Sequence, residues 1–136
     1  MPMNALGHVG WHELFAVDYK AALDFYSGQF GWSGSDTFDM GPMGTYQLYT
    51  IRADQPGGQY GGMMNKPDAF PQPFFLYYFN VDDINAAVER VKSAGGQVLM
   101  GPHEVPGGSM IIQGLDPQGA MFALVDQTKA TPMPSA

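Results

Sequence analysis

The sequence predicts an α+β fold built from two βαβββ modules. Three observations carry that expectation. A strand-like run leading into an aspartate-capped amphipathic helix occurs twice, in "WHELFAVDYKAALDFYSGQFGW" and in "FFLYYFNVDDINAAVERVKSAGG". Each helix is followed by glycine-punctuated stretches rich in β-formers. The capping residues Asp18 and Asp83 mark a unit that recurs at a spacing of roughly 65 positions.

The elements follow in order. "WHELFAV" reads as the first strand. Neighbouring side chains of a strand point to opposite faces, so Trp11, Glu13 and Phe15 share one face and His12, Leu14 and Ala16 the other. His12 and Glu13 therefore point apart, and no second histidine follows at HExxH spacing. The first helix opens after Asp18 and stops at Gly31, with Ala22, Phe25, Tyr26 and Phe30 as its apolar face. "FDMGPMGTY" is apolar yet glycine-rich, which suits either a mobile lip over a ligand or an ordinary inter-strand loop. "TYQLYTI" and "QYGGMM" read as strands, and "NKPDAFPQP" as the linker between modules.

The second module opens with "FFLYYFNV", whose alternation groups Leu76, Tyr78 and Asn80. Its helix starts at Asp82 or Asp83, presents Ile84, Ala87, Val88, Val91 and Ala94, and ends at Gly95 or Gly96. "GQVLM", "SMIIQGL" and "AMFALVD" complete it. The last strand sets Met121, Ala123 and Val125 on one face and Phe122 and Leu124 on the other. The expected organisation is one domain over residues 1–127, with modules at about 7–65 and 73–127 and a flexible tail at 128–136.

In a βαβββ unit the helix covers one sheet face. Two copies side by side would curl into an open half-barrel cleft on the other face. Small apolar residues belong under the helix. Leu14 and Ala16 fit there, with His12 as a hydrogen-bonded exception at the helix edge. That leaves Trp11, Glu13, Phe15, Leu76, Tyr78, Asn80, Met121 and Ala123 as cleft residues. Tyr46, Tyr49 and Tyr60 would add polar handles, but alternation alone leaves their facing open.

Ten methionines and 13% aromatic residues stand beside only 14% charged residues, as in a soft core or an adaptable apolar cavity. The net charge of −7 argues against nucleic acid or an anionic membrane as partner. The absence of cysteine excludes disulfides, thiolate nucleophiles and cysteine metal sites. With no leader-like opening and no bilayer-length apolar run, a cytoplasmic protein is expected. The glycine pairs of "PGGQYGG" and "PGGS" match neither GxGxxG nor a P-loop and read as turns and bulges. His103, in the Gly/Pro loop "GPHEVPGG", reads as solvated, and His8 carries no signal.

The segments "WHELFAVDYKAALDFYSGQFGW", "YFNVDDINAAVERVKSAGGQV" and "DPQGAMFALVD", in that order from Gly7 to Asp126, resemble the vicinal oxygen chelate superfamily. That superfamily includes glyoxalase I, bleomycin-resistance proteins and extradiol dioxygenases. The resemblance implies the vicinal oxygen chelate fold. In members with a metal, the resemblance places His, Glu or Gln ligands at slots that this sequence fills with Trp11, Leu76, Ala123 and Met63 or Met64. None of these ligates a hard or borderline divalent ion, so neither metal nor cofactor is expected. The nearest likeness is to glyoxalase-like members of unassigned substrate. Relatives commonly pair, and the large apolar share for so few charges points the same way, to a homodimer.

Two functions follow. The first is binding of a small apolar or aromatic molecule in the cleft. The alternative is a metal-independent lyase, isomerase or hydrolase with Glu13 and Tyr78 as catalytic groups. A carboxylate on an aromatic-lined wall is expected to have a raised pKa, which suits an acid or base. Equally, Glu13 would be satisfied by a structural hydrogen bond, for example from Tyr78. Tyr78 and Asn80 suit polar handles on an apolar wall, or simple sheet packing.

Overall fold

The computed structural model describes residues 6–51 and 61–130. The elements run β1 (Val9–Ala16), α1 (Tyr19–Phe30), β2 (Ser33–Asp39), a 3₁₀ turn (Gly41–Met43), β3 (Thr45–Thr50) and β4 (Gly61–Asn65). They continue as β5 (Phe74–Val81), α2 (Ile84–Ser93), β6 (Gln97–Glu104), β7 (Met110–Leu115) and β8 (Met121–Asp126). The order is βαβββ twice, an α+β architecture.

Two compact units emerge from the backbone: His12–Phe75, and the segment up to Trp11 together with the chain from Leu76 onward. The first has strand order β2-β3-β4-β1. There β1 and β4 run parallel, with Glu13 opposite Gly62 and Phe15 opposite Met64, and the other pairings are antiparallel. The second has order β5-β8-β7-β6, with β5 parallel to β8 and Tyr78 opposite Ala123. Its amino-terminal segment runs along β5, where Gly7 N–H donates to the Asn80 carbonyl at 2.9 Å and Asn80 N–H to the His8 carbonyl at 2.8 Å.

Both helices start as their sequences dictate. Asp18 caps α1 by accepting from Lys20 N–H at 3.1 Å, and Asp83 caps α2 by accepting from Asn85 and Ala86 N–H. Gly31 ends α1 with φ 79°, the left-handed conformation that favours glycine. A second device repeats in both modules. The first helical N–H, of Tyr19 or Ile84, donates to the last residue of the module's last strand: Asn65 Oδ1 at 2.9 Å and Asp126 Oδ2 at 3.1 Å. Burial pushes the Asp126 carboxyl upward. Hydrogen bonds from Thr128 and Ile84, with Lys129 nearby, outweigh it and hold the group below its ordinary value.

Under α1 lie Leu14, Ala16, Tyr49 and Met63, flanked by Tyr19, Ala22, Leu23, Tyr26 and Trp32. Under α2 lie Ile84, Val88 and Ile112, flanked by Val81, Val91, Val98, Met110 and Leu124. The alternation read from the first, fifth and last strands therefore holds: Leu14 and Ala16, and Val81 and Leu124, take the helical side.

Four readings change. The stripe of α1 that packs on the sheet is the half-buried Tyr19, Ala22, Leu23 and Tyr26, while Phe25 and Phe30 are each 58% exposed. β2 was not legible as a strand. Gly61 and Gly62 lie inside β4 rather than in a turn, and His103 lies on β6 rather than in a loop. "FDMGPMGTY" is an ordinary inter-strand connection, the end of β2, a 3₁₀ turn and the start of β3. Gly57, Gly58, Tyr60 and the tail from residue 131 lie outside the described residues.

Candidate functional site

The glycine pair of β4 organises the first unit. β4 lies between β3 and β1, so a side chain from β3 reaches β1 only by crossing β4. Tyr46 and Tyr49 stand three apart on β3 and therefore face opposite sides. A Cβ on Gly62 would lie 2.1 Å from the Tyr46 ring, and one on Gly61 would lie 2.5 Å from the Tyr49 hydroxyl. Each missing Cβ is a slot through which one tyrosine passes. On the helical side the Tyr49 hydroxyl meets His12 Nδ1 at 2.5 Å, and its ring stacks on Trp32 with centroids 4.2 Å apart. On the other side the Tyr46 hydroxyl donates to Glu13 Oε2 at 2.6 Å. The adjacent His12 and Glu13 thus serve opposite faces, each with its own tyrosine.

Burial pushes the His12 pKa below its ordinary 6.5. The neutral ring shares a hydrogen bond with the Tyr49 hydroxyl at Nδ1. The consequence for stability has a definite sign. The unfolded chain binds a proton at His12 near pH 6.5, whereas the folded chain resists until lower pH. The contribution is full above pH 6.5 and is lost as pH falls below it. Thermal melts between pH 7.5 and 5.5, an arbitrary bracket of about one unit around the ordinary histidine value, should show wild type losing stability. His12→Gln should lose less. Equal slopes would contradict the assignment.

Around Glu13, the non-helical face of the first unit is apolar and tight. Glu13 is 7% exposed, Phe15 4%, Leu48 2% and Met64 5%. Phe15 stacks on Phe74 with centroids 5.0 Å apart, and Phe70 packs beside both. In the second unit, Leu76, Tyr78 and Asn80 are buried on the corresponding face of β5 with Ala123 and Val125 of β8, while Met121 is half-buried. Tyr78 accepts a hydrogen bond from Gln113 Nε2 at 2.8 Å. Gly10 lets Asn80 in: a Cβ there would lie 2.0 Å from Asn80 Oδ1.

Tyr78 is the second module's counterpart of Glu13, since each stands five positions before its capping aspartate. Of the expected site residues, Glu13 and Phe15 come together in the first unit. Leu76, Tyr78, Asn80, Met121 and Ala123 come together in the second, where half-buried Trp11 ends the amino-terminal segment. The sequence reading left the facing of Tyr46 open and did not include Gln113. Their signal is the register of β3 and β7 against their neighbours, which one strand's alternation does not contain. His103 sits opposite Ile111 and is exposed. A shallow apolar recess lined by Val91, Ala94, Pro117 and Phe122 lies at the end of α2, on the helical side.

The residues at the superfamily's metal slots do not suit a divalent ion. Leu76 and Ala123 present buried carbon, Trp11 an indole, and Met64 a soft thioether. Among the described residues no three His, Asp or Glu side chains gather into a metal-binding group.

The Glyoxalase/Bleomycin resistance protein/Dioxygenase superfamily profile matches residues 5–124. The chain belongs to this superfamily. Among its relatives, the anthracycline biosynthesis protein DnrV of Streptomyces peucetius is 33% identical over 135 residues, covering 91% of this chain and 48% of the relative. The putative glyoxylase CFP32 of Mycobacterium tuberculosis is 30% identical over 118 residues, 87% of this chain and 45% of the relative. This superfamily member thus spans about half the length of those relatives. A glyoxylase-like domain-containing protein of Didymella fabae is 32% identical over 107 residues, 74% of this chain and 81% of the relative. Methylmalonyl-CoA epimerase, solved with methylmalonyl-CoA and NH4+, superposes with a TM-score of 0.69 at 19% identity, covering 94% of this chain and 100% of the epimerase. That likeness shows a shared fold. Among the described residues no helix is long and apolar enough to cross a membrane.

Proposed function

We propose that this superfamily member binds a small, largely apolar or aromatic molecule without a metal, on the non-helical face of its first module. The observation that supports this most is the Glu13–Tyr46 pair. A carboxylate buried among Phe15, Leu48 and Met64 is costly, and a hydrophobic residue would serve packing better. A polar anchor on an apolar wall is how small-molecule sites fix orientation. On its own face, the second module offers Tyr78, Gln113 and Asn80 as further handles. Two relatives carry the name "Anthracycline biosynthesis protein", which makes planar polycyclic aromatics the first probes to try.

A thermal-shift titration with such compounds tests the reading. A saturating ligand raises stability by about 2.7 kcal/mol at one hundred times its Kd. The expected outcome is a concentration-dependent rise in Tm that Tyr46→Phe diminishes. No shift with any aromatic probe at millimolar concentration, the weak limit of about −4 kcal/mol, would sink it.

A second reading is acid–base catalysis without a metal. The short hydrogen bond from the Tyr46 phenol to Glu13 supports it, because it joins a candidate acid or base to a second proton carrier. Tyr78, the other catalytic candidate, is held by Gln113 in the second module.

We also propose that two copies pair, in the reducing cytosol that a cysteine-free chain tolerates. Phe25 and Phe30 are exposed on the outer side of the first module, in ring contact with Tyr26 and Trp32. Contiguous exposed aromatic surface of this kind marks interaction sites. Sedimentation at tens of micromolar, an ordinary range for dimer affinities, should read the mass of two chains. A single-chain mass would overturn the pairing.

A further inference from the structure

We propose that Phe70 sets ligand selectivity on the non-helical face of the first module, favouring a flat aromatic ring over a saturated ring of the same skeleton. This selectivity rests on the binding function proposed above and narrows its ligand class. Phe70 belongs to the strap of residues 66–73 that joins β4 to β5. The strap lies within the first compact unit, as do Phe15 and Phe74.

The strap is braced. Pro67, Pro71 and Pro73 take three of its positions, and each fixes its own φ. Pro71 also biases the residue before it, Phe70, against helical backbone. Where the strap leaves β4, Lys66 N–H donates to the Ala16 carbonyl at 2.6 Å. Both main-chain groups of Phe70 are engaged inside the strap. Its N–H donates to the Pro67 carbonyl at 3.1 Å, and its carbonyl accepts from Lys66 Nζ at 2.7 Å. A residue held at both groups presents its ring in a set direction.

That direction is toward the face carrying Glu13 and Phe15. The Phe70 ring centroid lies 6.2 Å from that of Phe15 and 5.3 Å from that of Phe74, edge-on to the latter. Phe15 stacks on Phe74 at 5.0 Å and, at 4% exposure, forms the floor of this corner. Phe70 and Phe74 are half-buried, so part of each ring stays open to an incoming molecule. An aliphatic residue at position 70 would cover Phe15 as well; an aromatic one adds a π face. A ring pair is worth about two- to tenfold in affinity beyond the area it buries. A saturated ring gains the area alone. An anchor already fixed by its strap also loses little freedom when the ligand arrives.

Calorimetric titration with 2-naphthalenemethanol and with its decahydro counterpart, the same skeleton without the π system, tests this. Wild type should bind the naphthalene more tightly by about threefold or more, a middle value for one ring pair. Phe70→Leu keeps apolar bulk and should erase that preference while both compounds still bind. Proton NMR of the Phe70 ring in the wild-type protein gives a check that needs no variant to fold: the naphthalene should shift its signals strongly by ring current, and the decahydro compound little. Equal or reversed wild-type affinities, a preference that persists in Phe70→Leu, or a Phe70 ring that the naphthalene leaves unshifted would each overturn the role of Phe70 while leaving the binding function standing. If neither compound binds wild type, the binding function falls and the selectivity with it.

Discussion

Replacing Gly62 with alanine is expected to destabilise the protein by about 1–3 kcal/mol and to break the Glu13–Tyr46 hydrogen bond. The new Cβ would sit 2.1 Å from the Tyr46 ring, a distance that no carbon pair tolerates. The ring cannot simply lean away, because its hydroxyl must reach across β4 to Glu13. Either the strands part or the phenol leaves, and the second outcome strands a buried carboxylate without its donor. The loss of a hydrogen bond to a charged group alone costs roughly 1.5–3 kcal/mol. Urea denaturation measures the shift. The cause is isolated by adding Tyr46→Ala, which removes the ring that collides. In a double-mutant cycle the two changes should be strongly non-additive, with coupling well above about 0.5 kcal/mol. Simple additivity would mean that the slot is not what Gly62 provides.

Glu13→Gln divides the two functional readings. The amide keeps the shape of the carboxylate and can still accept from Tyr46, but it carries no titratable proton. If the protein is a catalyst, turnover should fall by about two to four orders of magnitude, as for loss of a general acid or base. If it only binds, affinity for a neutral aromatic ligand should change little, and fold stability should hold or rise because a buried charge has gone. Tyr46→Phe complements the test by deleting the donor while retaining the ring. Turnover that persists at wild-type level in Glu13→Gln would remove the catalytic reading, whatever the substrate.

The faces of β1, β5 and β8 were legible because strand alternation is strict and one side must be apolar enough to lie under a helix. Leu14 and Ala16 against Glu13 and Phe15 illustrate it. The helix caps were legible because Asp18 and Asp83 do local chemistry, bonding amides two or three residues away. β2 was not, since "SGSDTFD" is made of residues that strands disfavour and owes its form to pairing with β3. The α1 stripe was misplaced by assuming that large rings go inside. Tyr19, Ala22, Leu23 and Tyr26 follow the i, i+3, i+4, i+7 pattern equally well, and packing chose them. The role of Gly61 and Gly62 depends on two tyrosines of a neighbouring strand, so only the register of β3 against β4 reveals it. The facing of Tyr46 was left open, and Gln113 was missed, for the same reason.

The bonds from Tyr19 N–H to Asn65 and from Ile84 N–H to Asp126 tie helix starts to residues 46 and 42 positions later in the chain. A local cap such as Asp18 forms as soon as its own turn does. These two cannot form until the last strand of the module has docked, after the long loop between them has been closed at an entropic cost. Each helix thus completes its first turn only when its module closes, which couples the module's helix to its last strand. Such coupling makes a module behave as one cooperative unit rather than a helix and sheet that open separately. The amide protons of Tyr19 and Ile84 are therefore reporters on strands far from them in sequence: their exchange with solvent follows the undocking of β4 and β8, not the fraying of their own helices.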